Sequence, residues 1–388
     1  MGSHAGRLAA VCLATGSEIW CTQLPDRIEA SCAVSADGAA LFVGGYDEHL
    51  HAVRRSDGVR LWSRRARGVI KGGAICLPDR GRDLGRDGGA DCGALLSGCF
   101  GGALVALTPT SGRLLWEYRC GSALFARPVV DGRRRHVYVV DLRGCIHCVR
   151  YYVSPSSSSS PSSSTASAVA SVSPAAAASA TMAMASPTPP STSAPSSPAS
   201  SFGFELAWRR SLGETVALFA SPALADDAVL LGGVDGRLRA LSGASGEMLW
   251  EMDLGGAIFA TPCIAASLGA DEGTHCFATC QTGRLHCIRA ADGQPRWTTA
   301  PAKFEGHASP AVETVFAHVG PRLGSSMVCA AATDGSLHLF RSSDGLPVLA
   351  SPLKLPAPIF SSPVLCARRV VVGCRDDALY CIHMESFR

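Results

Sequence analysis

Between Gly236 and Trp250 the sequence GRLRALSGASGEMLW sets an apolar run, Leu238, Ala240 and Leu241, before a small polar turn and a second run ending in Trp250. That order predicts two short strands around a tight turn. The pattern returns in GRLAAVCLATGSEIW, EHLHAVRRSDGVRLW, GALVALTPTSGRLLW and GRLHCIRAADGQPRW, with Leu twelve residues before Trp and Gly four before it each time. GSLHLFRSSDGLPVL repeats it with Leu349 in place of Trp, GCIHCVRYYV is interrupted and resumes at FELAWRRSL, and DALYCIHMESFR carries only its first half. Between copies lies a second pattern, an apolar residue, small residues and Pro, as in LFARP, LFASP, IFATP, HASP and IFSSP; RIEASCAVS and GVIKGGAIC hold the same place without Pro. A continuous apolar run follows, such as AVLLGGV from Ala228 to Val234, which predicts a strand buried on both faces.

One unit is therefore four strands, A to D, and Trp208 and Trp250 stand 42 positions apart, the spacing of a propeller blade. The expected fold is an all-β propeller of four-stranded blades. Gly16, Gly58, Gly112, Gly246, Gly293 and Gly345 are expected in the C-to-D turns, where a left-handed backbone costs glycine nothing. Trp20, Trp62, Trp116, Trp208, Trp250 and Trp297 are expected to dock each blade on its neighbour, because a large ring needs a face to bury against. The chain opens in a C strand and stops after one. The reading preferred here is seven complete blades, with the D strand SEIWCTQL completing the last and residues 1 to 14 left over; the alternative is eight blades with one incomplete.

Residues Ser154 to Ser201 contain only Ser, Pro, Ala, Thr, Val and Met. Without charge or ring the run has nothing to pack, so it is expected to be a disordered insertion within a blade. One domain is thus read in two parts, 1–153 and 202–388, around 154–201. The formal charge of +3 is small for 388 residues, and RRARG at Arg64 to Gly68 and GRRRH at Gly132 to His136 read as exposed turns, so neither nucleic acid nor membrane is expected as a partner. RLAAVCLA imitates a short secretory segment, but Val11 sits where a small residue is needed before a processed Cys12, and the same residues fit the repeat. Seventeen Cys without a signal suggest a reducing, cytoplasmic setting.

The G-x-L-x-A-L, x-x-G-x-x-x-W and F-x-S-S-P patterns resemble the pyrroloquinoline-quinone-type propeller repeat. The phrases GSH (Gly2 to His4), DRIEAS (Asp26 to Ser31), IFATPC (Ile258 to Cys263), AAATDG (Ala330 to Gly335) and IFSSPV with VVVGCRDDALYCIH (Ile359 to His383) resemble more closely the C-terminal propeller of the β-alanine-activating enzyme, or 2-aminoadipic semialdehyde dehydrogenase-type acyl-activating family. That resemblance implies a link to ATP-driven amino-acid activation. Here no Gly-rich phosphate loop with its Lys and no carrier-type Ser is visible, so the chain is expected to be a non-catalytic interaction or scaffold module rather than an enzyme. Expected partners are an adenylation or carrier domain or an acceptor protein, with a small amine in the channel as a further option. The alternatives are an outer-membrane-assembly-type scaffold and a quinoprotein oxidoreductase.

No cofactor is expected, since the Cys-Cys pair that quinone dehydrogenases share is missing. No metal is expected either: Cys145 and Cys148 point opposite ways on a strand, His275 with Cys280 makes only a pair, and Cys381 with His383 beside Cys374 gives too few ligands on one face. Ser245 in GASG lies in a hairpin rather than on a hydrolase elbow, and Glu305 with His307 reads as a solvated pair. Two long A-to-B connections, Asp79 to Gly93 and Glu313 to Met327, are candidates for contacts.

Overall fold

The computed structural model describes residues 1–77, 93–154, 201–213, 215–268, 271–300, 315–317, 327–366 and 369–383. Among these there is no helix, and the strands form eight antiparallel sheets, six of them four-stranded. In chain order the complete blades are as follows. Blade 1 is Ala33–Val34, Ala40–Gly44, His49–Arg54 and Arg60–Arg65; blade 2 is Ala74–Leu77, Ala94–Gly98, Ala103–Leu107 and Leu114–Arg119. Blade 3 is Val129–Asp131, His136–Val140, Cys145–Ser154 and Ser201–Ser211; blade 4 is Ala223–Ala225, Ala228–Gly232, Arg237–Ser242 and Met248–Asp253. Blade 5 is Cys263–Leu268, Asp271–Cys280, Arg284–Arg289 and Pro295–Thr298; blade 6 is Val315–Ala317, Met327–Ala331, Ser336–Arg341 and Leu353–Lys354. A C-terminal sheet of Val364–Cys366, Arg369–Gly373 and Leu379–His383 has A, B and C strands, and an N-terminal sheet of Arg7–Val11 and Glu18–Gln23 has C and D.

Strands follow sequence order within every sheet, and A strands of consecutive sheets lie side by side: Ala33–Val34 beside Ala74–Leu77, Val129–Asp131 beside Ala223–Ala225, and Val315–Ala317 beside Val364–Cys366. Inner edges that meet in turn form a ring about an axis, the propeller the repeat predicts. The preferred strand count needs correction. Glu18–Gln23 pairs with Arg7–Val11 and not with Leu379–His383, so residues 1 to 14 are not left over; the described strands make eight sheets, as in the eight-blade alternative, but with two of them incomplete rather than one. The physical reason is local: a tight turn at Gly16 brings the two N-terminal strands together at once, whereas the last sheet would have to recruit a strand from the far end of the chain. The ends still touch, since Arg369 Nη1 donates to Leu13 O at 3.0 Å.

The core lies between sheets. Leu230, Leu238 and Ala240 of blade 4 pack on Cys276, Ala278 and Ile288 of blade 5, and similar clusters join the other neighbours. The B strands Ala94–Gly98 and Ala228–Gly232 are buried throughout, as their unbroken apolar runs require. Each ends in Gly for a reason of space: a Cβ on Gly98 or Gly232 would come within 3.0 Å of Leu124 Cβ or 2.3 Å of Ile258 Cγ2, from the connection entering the next blade. The 154–201 insertion occupies the C-to-D turn of blade 3, where Ser154 pairs with Ser201; residues 155–200 lie outside the described residues.

Candidate functional site

Six of the described connections from a D strand to the next A strand are bonded to the B-to-C turn of the sheet they enter. The amides of Tyr46, Phe100, Leu142, Val234, Gln281 and Arg375 donate to the carbonyls of Arg27, Val69, Ala123, Ala217, Ala257 and Pro358 at 2.9 to 3.2 Å. This main-chain ladder repeats on the same end of the propeller at all six. It fixes the next two residues of each connection, the Ile/Leu and the Phe of the LFARP-type pattern, in opposite roles. Leu124, Leu218, Ile258 and Ile359 are buried, while Phe125, Phe219, Phe259 and Phe360 stand at the rim, half-buried or exposed.

The rim is an aromatic chain. Phe100 and Phe125 centroids are 6.1 Å apart, Phe125 and Phe219 5.2 Å, and Phe219 and Phe259 5.7 Å, in edge or tilted contact. At the two positions where blade entries lack Pro, the Phe column reads Glu29 and Lys71 instead. Lys71 Nζ sits 5.0 Å from the Tyr46 ring, 5.4 Å from Phe100 and 5.0 Å from Phe125, and 3.7 Å from Glu29 Oε2. Arg27 also lies over the Tyr46 ring at 3.6 Å, and Arg375 covers Phe360 at 4.0 Å. The Tyr46 hydroxyl donates to Glu29 Oε2 at 2.6 Å; burial, and then that carboxylate, push its pKa up. Two residues on from the Phe positions, the Arg127 amide donates to Ser221 Oγ at 3.0 Å and the Ser221 amide to Thr261 Oγ1 at 3.1 Å, which links successive connections to one another. The arrangement offers flat apolar faces, fixed cations and one carboxylate on a single rigid ring.

The sequence pattern contains this ring, but attention to Pro hides it. The informative column is the residue after Ile or Leu, where Glu29 and Lys71 break a run of Phe.

The indoles and turn glycines meet across blades. Trp20, Trp62, Trp250 and Trp297 Nε1 donate to Arg55, Pro109, Ala290 and Ser342 carbonyls at 2.8 to 2.9 Å, and Trp208 Nε1 to Gly243 O at 3.3 Å. Each ring lies on the turn glycine of the next sheet: a Cβ on Gly58, Gly112, Gly246, Gly293 or Gly345 would come within 2.4 to 2.7 Å of it. All six turn glycines, Gly16 included, have φ between 67° and 76°. Over Gly16 nothing lies within 4 Å. Trp116 faces the blade whose turn is replaced by the insertion, and stacks on Phe204 at 4.8 Å and Tyr118 at 5.8 Å instead.

The other candidates are dispersed. Cys145 Sγ accepts from Arg209 Nη2 at 3.3 Å, while Cys148 lies in an apolar cluster on Trp208 with its thiol pushed up to about 12 by burial. Cys280 meets His286 at 3.6 Å, whereas His275 Nδ1 is 3.1 Å from Gly273 O. Cys374 donates to Ala357 O, Cys381 lies near Leu13 O, and His383 is exposed. Among the described residues no three His, Cys, Asp or Glu side chains converge on a metal position. Ser245 Oγ donates to Glu247 Oε2 in an exposed turn. Glu305, His307 and nearly all of both long A-to-B connections lie outside the described residues.

One recurring set is absent from the sequence reading. An aspartate in the B-to-C turn ties that turn to the C strand: Asp47 to His51 at 2.8 Å, Asp141 to His147 at 3.2 Å, Asp235 to Arg239, Asp334 to Ser336 and Asp376 to Tyr380. Burial would raise the Asp141 carboxyl, but bonds from His147 and the Cys145 and Arg143 amides outweigh it and hold it low. Tyr118 Oη lies 3.1 Å from His147 Nδ1, yet His147 and Asp141 are 0% and 2% exposed, which leaves no access for a substrate. The set is a clamp. Its partner varies among His, Arg, Ser and Tyr, so no fixed letter announces it.

Known proteins share this pattern. The family described as "Beta-alanine-activating enzyme, beta-propeller" matches residues 89–384, and "Outer membrane protein assembly factor BamB" matches residues 4–79. The β-alanine-activating enzyme of Mus musculus is 31% identical over 113 residues, 29% of this chain and 9% of that protein. Its counterpart in Danio rerio is 25% identical over 184 residues, 43% of this chain and 15% of that protein. The matched stretches thus span a small part of those relatives. Among solved structures, BamB from Moraxella catarrhalis gives a TM-score of 0.65 at 13% identity, over 98% of this chain and 89% of that one. Sqt1 of Saccharomyces cerevisiae gives 0.64 at 9% identity, over 93% and 83%. At such identities the likeness establishes the propeller fold alone. The family match extends over well more than half of the chain, and the chain accordingly belongs to the β-propeller family of the β-alanine-activating enzyme.

Proposed function

We propose that the chain is a non-catalytic propeller module that holds a protein partner at its aromatic channel rim, in the service of ATP-dependent activation of a β-alanine-type amino acid. The observation that carries this reading is the substituted Phe column: Glu29 and Lys71 stand where the other described connections carry Phe, with Phe100 exposed beside Lys71. Rigid aromatics beside cations are the composition of interface hot spots. The name of the relatives supplies the chemistry, and the partner is an adenylation or carrier domain or the acceptor it serves. Fifteen described cysteines are free thiols, which supports a reducing, cytoplasmic setting.

The test is a titration of this chain with the adenylation and carrier portion of a β-alanine-activating enzyme. Binding that Lys71→Glu weakens about tenfold, as loss of one hot-spot residue does, with no change in melting temperature, is the expected result. No binding, or binding indifferent to Lys71 and Phe219, overturns it. The match of residues 4–79 to BamB favours a second reading, a scaffold for outer-membrane assembly, which the same titration against a membrane-protein assembly partner would reveal. A quinoprotein oxidoreductase is disfavoured because no two cysteines are adjacent in the sequence.

A further inference from the structure

Three residues past the buried Ile or Leu of each connection stands one shared position, filled by Ser31, Gly73, Arg127, Ser221, Thr261 and Ser362 in the six described copies. From Arg127 onward it works as a relay: the Arg127 amide donates to Ser221 Oγ at 3.0 Å, and the Ser221 amide to Thr261 Oγ1 at 3.1 Å. Each of these amides is satisfied by the hydroxyl at the same position of the following connection. The two connections before them have no such hydroxyl ahead. Gly73 is followed by Arg127, whose guanidinium donates and cannot accept, and Ser31 is followed by Gly73, which has no side chain. Among the described residues neither the Gly73 amide nor the Ser31 amide has an acceptor.

Arg127 adds to this shortage of acceptors. Its Nε donates to Ala74 O at 3.1 Å, which sets the guanidinium beside Gly73, and no described carboxylate pairs with it. Arg134 and Arg239, by contrast, each lie between two carboxylates. Glu29, two residues before Ser31, is taken by Lys71, Arg27 and the Tyr46 hydroxyl. The Cys76 thiol, on the strand that Ala74 opens, keeps its proton, because burial pushes its pKa up to about 11. Gly73 is buried, where an amide without an acceptor is costly, whereas Ser31 is exposed and Arg127 half-buried, so the donors are reached from solvent.

The geometry points to a binding site for a small carboxylate, held by the Arg127 guanidinium and the Gly73 amide with the Ser31 amide beside them. A carboxylate is the group that fits: it is planar, accepts on two oxygens and brings the charge that the flat fork of an arginine pairs with. The two departures from a hydroxyl, Gly73 and Arg127, fall at consecutive connections, which is what a single site requires. The site lies two residues past the Phe column and needs no protein partner, so it stands or falls apart from the reading of the rim.

The probe is sodium acetate, titrated into the whole chain at constant ionic strength and followed by amide NMR, with chloride and inorganic phosphate as controls. Saturable shifts of the Gly73 and Ser31 amides with acetate, and none with chloride, are expected. Arg127→Ser puts the hydroxyl of the other connections in front of Gly73. It should weaken acetate binding about tenfold and leave the melting temperature unchanged or raised. A purely structural arginine gives the opposite pair of results, a lower melting temperature with binding unaltered, and that outcome overturns the inference. So does the lack of any saturable shift, or phosphate binding as tight as acetate. Should Arg127→Ser not fold, Arg127→Lys, which keeps the charge and loses the fork, should also weaken acetate binding, and the shifts of the unaltered chain still decide it.

Discussion

Gly293 meets two demands at once. Its φ of 73° is left-handed, and a Cβ there would come within 2.7 Å of Trp250 Cδ2. Gly16 meets only the first demand. Alanine at Gly16 should cost about 1–2 kcal/mol, the left-handed penalty alone. Alanine at Gly293 adds overpacking of about 1–3 kcal/mol and displaces the indole. Paired thermal melts of the two variants check the difference; equal losses would contradict the stacking role of the turn. Trp250→Ala should cost about 3 kcal/mol, the lower end for a core aromatic because the ring is half-buried, read by denaturant titration. Both letters of this junction are legible in the sequence, as Leu, Gly and Trp at fixed offsets. That they touch across blades is not legible, because spacing within a repeat says nothing of contacts between repeats.

The D strands show what an element adds to its letters. Each of the six that carry a Trp pairs with its C strand through a bulge just before that Trp, as where Ala240 faces Trp250 but Leu241 faces Met248. The extra residue, Leu249 in that blade, is turned out to 52% exposure. The bulge bends the strand and aims the ring at the next sheet. Alternation alone misses this, since one inserted residue reverses the expected faces beyond it. The hairpin of blade 3 carries an element-scale prediction. Cys145–Ser154 and Ser201–Ser211 pair residue by residue out to Ser154 and Ser201, so residues 155–200 can be exchanged for an Asn-Gly turn. Soluble expression and an unchanged melting temperature are the expected outcome. Loss of either would show that the segment has a structural task beyond joining the two strands.

Across the whole ring, buried imidazoles set the acid limit. Burial lowers His51, His136 and His338, and brings His286 to about 4. The unfolded chain takes up these protons near pH 6.5 while the folded chain refuses them, so stability is whole above that value and falls as pH drops toward 4. For His286 alone the loss approaches about 3 kcal/mol. Melts at pH 7.5 and 4.5 should differ strongly, and His286→Gln should narrow the gap; an equal gap would refute the assignment. Ring closure was the least legible feature, because which strand completes which sheet depends on partners far apart in sequence. The main-chain ladder at one end of the propeller has a different consequence. Because amide-to-carbonyl bonds, not side chains, hold that rim in shape, the letters at Glu29, Lys71 and the four Phe positions are free to vary without refolding anything. Evolution could rewrite what such a propeller grips while leaving the barrel of strands beneath it untouched.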